Sequence, residues 1–360
     1  MSNSQAASPR SSNLELYRIL VMLAIVAHHF VVNSGLPDVM MEDPLSANSI
    51  FLSLFGMWGK TGINCFVLIT GYFMCTKQIT LRKFLKLLLW MEFYAIVING
   101  AFLATGYMEF TLKNAVLPLW PIWSISDSFG SCFLVFYLTI PFLNVLVRHM
   151  TQRQHKLLVL LSVVIFSVFS IVPYYTISFN YVTWFAILYF IASYLRLYPL
   201  RSERNLALWG GGTALSVSAS VASVFGIAWL QTHRGAELSL GFMYYMVSDS
   251  NKLLALTTAV TSFMFFKALP VRHSTTINAV ASSAFGVLLI HANSDTMRQW
   301  LWKDTLDNVG HYHAPGLWLF AFASVLGIYV VCTLIDYVRL RSIEKPWFRW
   351  LDKHCQLDKK

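Results

Sequence analysis

The fold is decided by Tyr17-Arg18-Ile19-Leu20-Val21-Met22-Leu23-Ala24-Ile25-Val26-Ala27-His28-His29-Phe30, an apolar run with an arginine near its start and two histidines near its end. An ionisable side chain in such a run costs about 3 kcal/mol at the centre of a membrane helix, so its presence points to a task. At about 100° per residue, the step from Arg18 to His29 closes to within about 20° of three full turns, and both residues project from one face. His28 lies about 80° from Arg18 on the same wheel, which leaves His29 as the partner and turns His28 toward a neighbouring helix. Along the axis the two are roughly 16 Å apart, so one helix can hold two ends of a long substrate. A plainer reading also fits each: an interfacial arginine snorkelling to the headgroups, and a neutral, satisfied core histidine.

The rest of the chain shares this character. Its 360 residues are 56% hydrophobic and 12% charged, with a mean hydropathy of +0.57. That is too apolar for a soluble globule and too long for a single anchor. Stretches near the length that crosses about 30 Å of hydrocarbon fall at 14–33, 50–75, 84–106, 129–147, 157–173, 181–198, 206–230, 252–269, 279–297 and 316–338. They predict an all-α polytopic bundle of about ten transmembrane helices. The expected organisation is a disordered tail over 1–13, a membrane domain over 14–338 and a basic tail over 339–360. No A-x-A-like cleavage site follows the first run, which is therefore expected to remain as a helix.

A net charge of +10 raises nucleic acid as a partner, but the basic residues stand at the ends of apolar runs and form no patch interleaved with exposed aromatics. Membrane topology explains them. One set of connections carries Lys77, Arg82, Lys83 and Lys86, then Arg148, Arg153 and Lys156, then Arg196, Arg201 and Arg204, then Lys267 and Arg272, and the tail from Arg339. The other set holds only Lys60, Lys113, Arg234, Lys252, Arg298 and Lys303 of the 27 lysines and arginines. By the positive-inside rule both termini are cytoplasmic.

On the outer side, Trp120-Pro121-Ile122-Trp123, Tyr174-Tyr175, Tyr244-Tyr245 and Trp300-Leu301-Trp302 read as an interfacial belt or as platforms for carbohydrate. The five cysteines lack metal spacing and are expected to be free thiols. His311-Tyr312-His313 offers two imidazoles without a third ligand, so no metal site is expected.

Other polar groups extend the candidate site. Glu15 stands one turn before Arg18 and is its simplest partner. His291, close to Asn293 and Asp295, either orients His29 or a sugar, or is a satisfied structural histidine. Asn64 and Thr70 in the second run either bond across helices or line a cavity.

The pattern Arg18-x10-His29, followed by Asn64-Cys65-Phe66-Val67-Leu68-Ile69-Thr70-Gly71-Tyr72-Phe73, resembles acyltransferase family 3, integral-membrane enzymes that modify surface polysaccharides and other envelope glycans. The resemblance continues through Phe136-Tyr137-Leu138-Thr139-Ile140-Pro141-Phe142-Leu143-Asn144 and Leu188-Tyr189-Phe190-Ile191-Ala192-Ser193-Tyr194-Leu195-Arg196. It reaches Ala284-Phe285-Gly286-Val287-Leu288-Leu289-Ile290-His291 and so spans nearly the whole chain.

The resemblance implies an acyl-CoA co-substrate, acetyl-CoA by default with succinyl open, and no permanently bound cofactor. It also implies a carbohydrate or lipid-linked glycan acceptor, a place in the cell membrane, and His29 with Arg18 as essential residues. Two positions depart from the family pattern. The family's Arg-x-Arg pair after the second helix is represented by Arg82, Lys83 and Lys86, candidates for the donor, and its serine before Gly71 is Thr70, which keeps the hydroxyl.

The chemistry fits. An imidazole with a pKa of about 6.5 can take the proton of an acceptor hydroxyl, and Arg18 at the cytoplasmic end can hold CoA phosphates or the entrance of its pantetheine arm. Without the resemblance, intramembrane Arg and His would equally suit a transporter, flippase or polymerase of glycans. A transporter should show broken midplane helices in matching halves, and no such pairing stands out.

Overall fold

The structure, a computed structural model, describes residues 11–120, 128–172, 177–178, 180–234 and 239–354. Residues 1–10 of the expected N-terminal tail, Pro121-Ile122-Trp123 and Tyr174-Tyr175 of the aromatic clusters, Cys355 and the end of the C-terminal tail lie outside the described residues.

Lipid offers no hydrogen bonds to a backbone, so long apolar runs satisfy their own amides as helix. Over the described residues the expected stretches fall mainly on helix: α1 (Ser12–Val32), α2 (Leu36–Glu42), α3 (Ala47–Gly56), α4 (Gly59–Met74), α5 (Leu81–Ala104), α6 (Leu112–Val116) and α7 (Phe129–His149). There follow α8 (Gln152–Val163), α9 (Tyr181–Leu197), α10 (Leu206–Arg234), α11 (Leu240–Met243), α12 (Leu253–Ala268), α13 (Thr275–Ser282), α14 (Ala284–His291), α15 (Asp295–Arg298), α16 (Leu317–Arg339) and α17 (Lys345–His354). Among the described residues, seven helical stretches are long and apolar enough to cross a membrane, eight if the bent pair Thr275–His291 and Asp295–Thr305 counts as one span, while α9 and α12 are apolar but shorter. The chain is an all-α, multi-pass membrane bundle.

Three boundaries differ from expectation for local reasons. The run at 279–297 is not one helix: it bends by 93° between His291 and Asp295. There Ser294 caps a new helix, accepting from the Met297 amide at 3.1 Å, and Asp295 follows in its first turn. The basic residues Arg82, Lys83 and Lys86 belong to the first turns of α5, whose N-cap is Thr80. The chain does not leave the bundle at Arg339 but stays helical through Leu340–Glu344 into α17.

α1 runs through the middle, packed against α3, α4, α12, α13, α14 and α16. At the basic end, Asn13 donates to the Lys267 carbonyl, Lys267 pairs with Glu203, Asn144 donates to the Lys77 carbonyl, and Arg196 donates to the Tyr72 hydroxyl. At the opposite end, Asn308 donates to the Phe30 carbonyl and so covers the end of α1, and Tyr244 donates to the Ser53 carbonyl. Tyr244 and Trp302 are therefore core residues, buried to 6% and 0% exposure, and no part of an outer belt. Cys65, Cys75, Cys132 and Cys332 are buried free thiols.

Candidate active site on the first helix

The two histidines of α1 separate as their wheel positions require. His28 turns to the α3–α4 junction, its Nδ1 2.6 Å from the Gly56 carbonyl oxygen. Its ring lies so close to α4 that a Cβ at Gly59 would stand 2.2 Å from His28 Cδ2, so only glycine fits there. His29 turns the other way, and its Nδ1 is 2.9 Å from Nε2 of His291 on α14. His291 is fully buried, with its Nδ1 2.6 Å from the Val287 carbonyl oxygen and its ring edge-on to Trp302 at 6.3 Å. Trp302 also meets Phe30 edge-on at 5.9 Å, so the bend after α14 wedges this histidine against α1. Lys60 and Arg298 lie within electrostatic reach of His29, but each is answered by a carboxylate, Asp249 at 3.7 Å and Asp295 at 2.6 Å.

Arg18 stands at the other end of α1, bonded to Glu15 at 3.0 Å and 6.0 Å from the centre of the Phe66 ring. It lines a cavity of about 220 Å³ together with Phe66, Lys86, Trp90, Phe285, Arg339 and Glu344. Lys86 and Glu344 also line a larger neighbour of about 650 Å³, which gathers Arg82, Lys83, Lys345, Phe348, Arg349 and Asp352. The two cavities share walls at Lys86 and Glu344 and together give a basic entrance between the start of α5 and α17. Arg82 pairs with Asp352 at 2.8 Å and Lys86 with Glu344 at 2.6 Å, whereas Lys83 donates to the Gln78 carbonyl at 2.6 Å. His29 is not among the walls of either cavity.

Sequence reasoning missed the group that shapes this entrance. Asp336 on α16 is buried to 1% exposure, and its Oδ1 accepts from Trp90 Nε1, Tyr94 Oη and Arg339 Nε, each at 2.9 Å. Arg339 also bonds Glu344 at 2.7 Å and lies 4.8 Å from the centre of the Trp90 ring. A Cβ at Gly286 would fall 2.4 Å from Asp336 Cγ, so this carboxylate reaches α5 only because α14 carries a glycine there. The signal was available: an aspartate inside Leu334-Ile335-Asp336-Tyr337 breaks the same rule that exposed Arg18 and His29.

Asn64 and Thr70 do not join either cluster. Asn64 bolts three segments together, accepting from Trp184 Nε1 at 2.8 Å and donating to the Ser250 carbonyl at 2.7 Å. Thr70 bonds back to Phe66 of its own helix at 3.1 Å. His311 stacks on Phe320 at 4.1 Å. Among the described residues no group of three or more His, Cys, Asp or Glu side chains could hold a metal ion.

The family model described as an acyltransferase domain matches residues 11–337. No curated protein and no solved structure matches the chain.

Proposed function

The chain belongs to acyltransferase family 3, and from that premise we propose that it transfers an acyl group, acetyl by default, from cytoplasmic acyl-CoA to a hydroxyl of a cell-surface or exopolysaccharide glycan, working in the cell membrane. The observation that carries this reading is the two-ended arrangement on α1, with a basic entrance at Arg18 and a sheltered imidazole pair at His29.

The CoA phosphates suit the entrance. Arg82, Lys83 and Lys86, which the sequence singles out, stand with Lys345 and Arg349 of α17 around the larger cavity, and charge-assisted bonds to phosphate are among the strongest a side chain makes. Arg18 lies farther in, where the arm leading to the thioester would pass. Its position on α1 is roughly 16 Å from that of His29 along the axis, and its guanidinium is held by Glu15, away from any oxyanion formed there. It holds the donor. The aromatic rings of Phe66, Trp90 and Phe285 stand beside it, and the arm must part them to bring the thioester to His29.

At His29 the acceptor hydroxyl gives its proton to the imidazole while its oxygen bonds to the thioester carbon. The carbon–sulfur bond then breaks, and the imidazolium returns the proton to the departing thiolate. The products are an ester and free CoA thiol.

A transporter or flippase is the competing reading, and the 93° bend at His291 is the kind of feature it would use. Among the described residues it is the one bent pair that reads as a single broken span, without the matching break that an inverted repeat requires. The deciding experiment is the ester-linked acyl content of the host's surface glycan, read by NMR before and after mild base. The host is a deletion strain complemented with wild type or His29→Ala at matched membrane levels. Acyl groups should return with wild type alone; loss of the polymer itself would favour transport.

A further inference from the structure

The His29–His291 contact fixes more than the position of a ring. Val287 offers His291 a carbonyl oxygen at 2.6 Å from Nδ1, and a carbonyl can only accept, so Nδ1 of His291 carries the proton. A neutral imidazole holds one proton, which leaves Nε2 of His291 with a lone pair. That lone pair faces Nδ1 of His29 at 2.9 Å, so His29 must be the donor. Its own single proton is then committed to Nδ1, and the free lone pair is on Nε2. The opposite assignment would set lone pair against lone pair at 2.6 Å beside Val287.

We infer that His291 is a positioning residue that holds His29 as its Nδ1–H tautomer, so that Nε2 of His29 is the atom that takes the acceptor's proton. The inference rests on the acyltransferase reading for its second half only, because the tautomer follows from the hydrogen bonds alone. The arrangement parallels the way a carboxylate orients the histidine of a hydrolytic triad, with a neutral ring tied to a backbone carbonyl in place of the acid. The anchor is well made: His291 is fully buried, ends α14 at the bend, and is backed by Trp302. His28 takes no part, since its own Nδ1 is spent on the Gly56 carbonyl. When Nε2 of His29 gains a proton, Nδ1–H still points at His291, and the positive charge is shared with a ring whose far side meets a carbonyl dipole.

The test uses the full chain in lipid nanodiscs with ¹⁵N-labelled histidine imidazoles, at a pH where the rings are neutral. The His29 signals are identified by their loss in His29→Ala. The expected result is a protonated Nδ1 and a bare Nε2 in the wild type, shifting toward the Nε2–H form in His291→Ala. A wild-type His29 protonated at Nε2, or a tautomer indifferent to His291→Ala, would overturn the inference.

Kinetics give a second handle. His291→Ala should lower kcat on the order of 10²-fold with KM for acyl-CoA little changed. His291→Gln, whose amide oxygen can accept from Nδ1–H, should recover at least about tenfold of that loss. Equal losses in the two variants would count against orientation and for mere space-filling. The NMR measurement needs no turnover, so a wild type with the expected tautomer but no acyl transfer would indict the proposed reaction and leave the positioning role standing.

Discussion

The two ends of α1 are built from opposite chemistry. Around Arg18 full charges crowd a cavity that adjoins the basic surface, and Arg18, Lys86, Arg339 and Glu344 share its walls with Trp90 and Phe285. Around His29 the contacts are made by imidazole rings tied to backbone carbonyls at Gly56 and Val287. A polyanionic donor is held by many charge-assisted bonds, so its end of the site can be wide and wet. A proton is moved by one lone pair in one direction, so its end must be narrow and fixed. On the proposed reading, residues that share a helix face thus divide a reaction between them by the environments that other helices supply.

The sharpest way to break this comparison is to unpair the charged end. In Asp336→Ala the Arg339 guanidinium loses one of two buried carboxylates, and Trp90 and Tyr94 lose their acceptor. Removing one partner of a buried ion pair costs about 3 kcal/mol or more. The thermal midpoint of the purified protein should fall by several degrees, and an unchanged midpoint would mean that the entrance does not depend on this network. Next in size, Arg82→Ala and Arg349→Ala should each raise KM for acyl-CoA about fivefold while leaving kcat within about twofold, and added salt should shrink the difference. A loss confined to kcat would move the donor site elsewhere. Smallest is Thr70→Val: its hydroxyl bonds only to its own helix, so stability should stay within about 0.5 kcal/mol. Transfer rate should be unaffected as well. A Thr70→Val protein that folds normally but transfers several-fold more slowly would bring Thr70 into the site after all.

Much of this architecture was legible in the sequence because membrane helices obey a severe rule. Arg18 and His29 stand out for being ionisable in hydrocarbon, and the wheel alone turns His28 away from His29, as the Gly56 contact bears out. Asp336 is marked by the same rule yet escaped notice, lying so near the basic stretch from Arg339 that it reads as part of a helix end. The bend after His291 is spelled by Ser294-Asp295, a helix-start signal inside what apolarity joins into one run. The wall that α17 gives the entrance was not legible. Residues 82–86 and 345–352 meet only through tertiary packing, and no local periodicity pairs them. The partner of His291 is not legible for the same reason: spacing along one helix says nothing about which ring faces it from another.

The central claim is that donor binding and proton transfer belong to opposite ends of α1. It is tested most directly by measuring equilibrium binding of labelled acyl-CoA and single-turnover transfer side by side for wild type, Arg18→Ala and His29→Ala. Arg18→Ala should bind the donor about tenfold more weakly, since it removes a charge-assisted contact. His29→Ala should bind it within about twofold of wild type and transfer at least about 10²-fold more slowly. Near-normal transfer in His29→Ala, or donor binding lost there and kept in Arg18→Ala, would contradict the account.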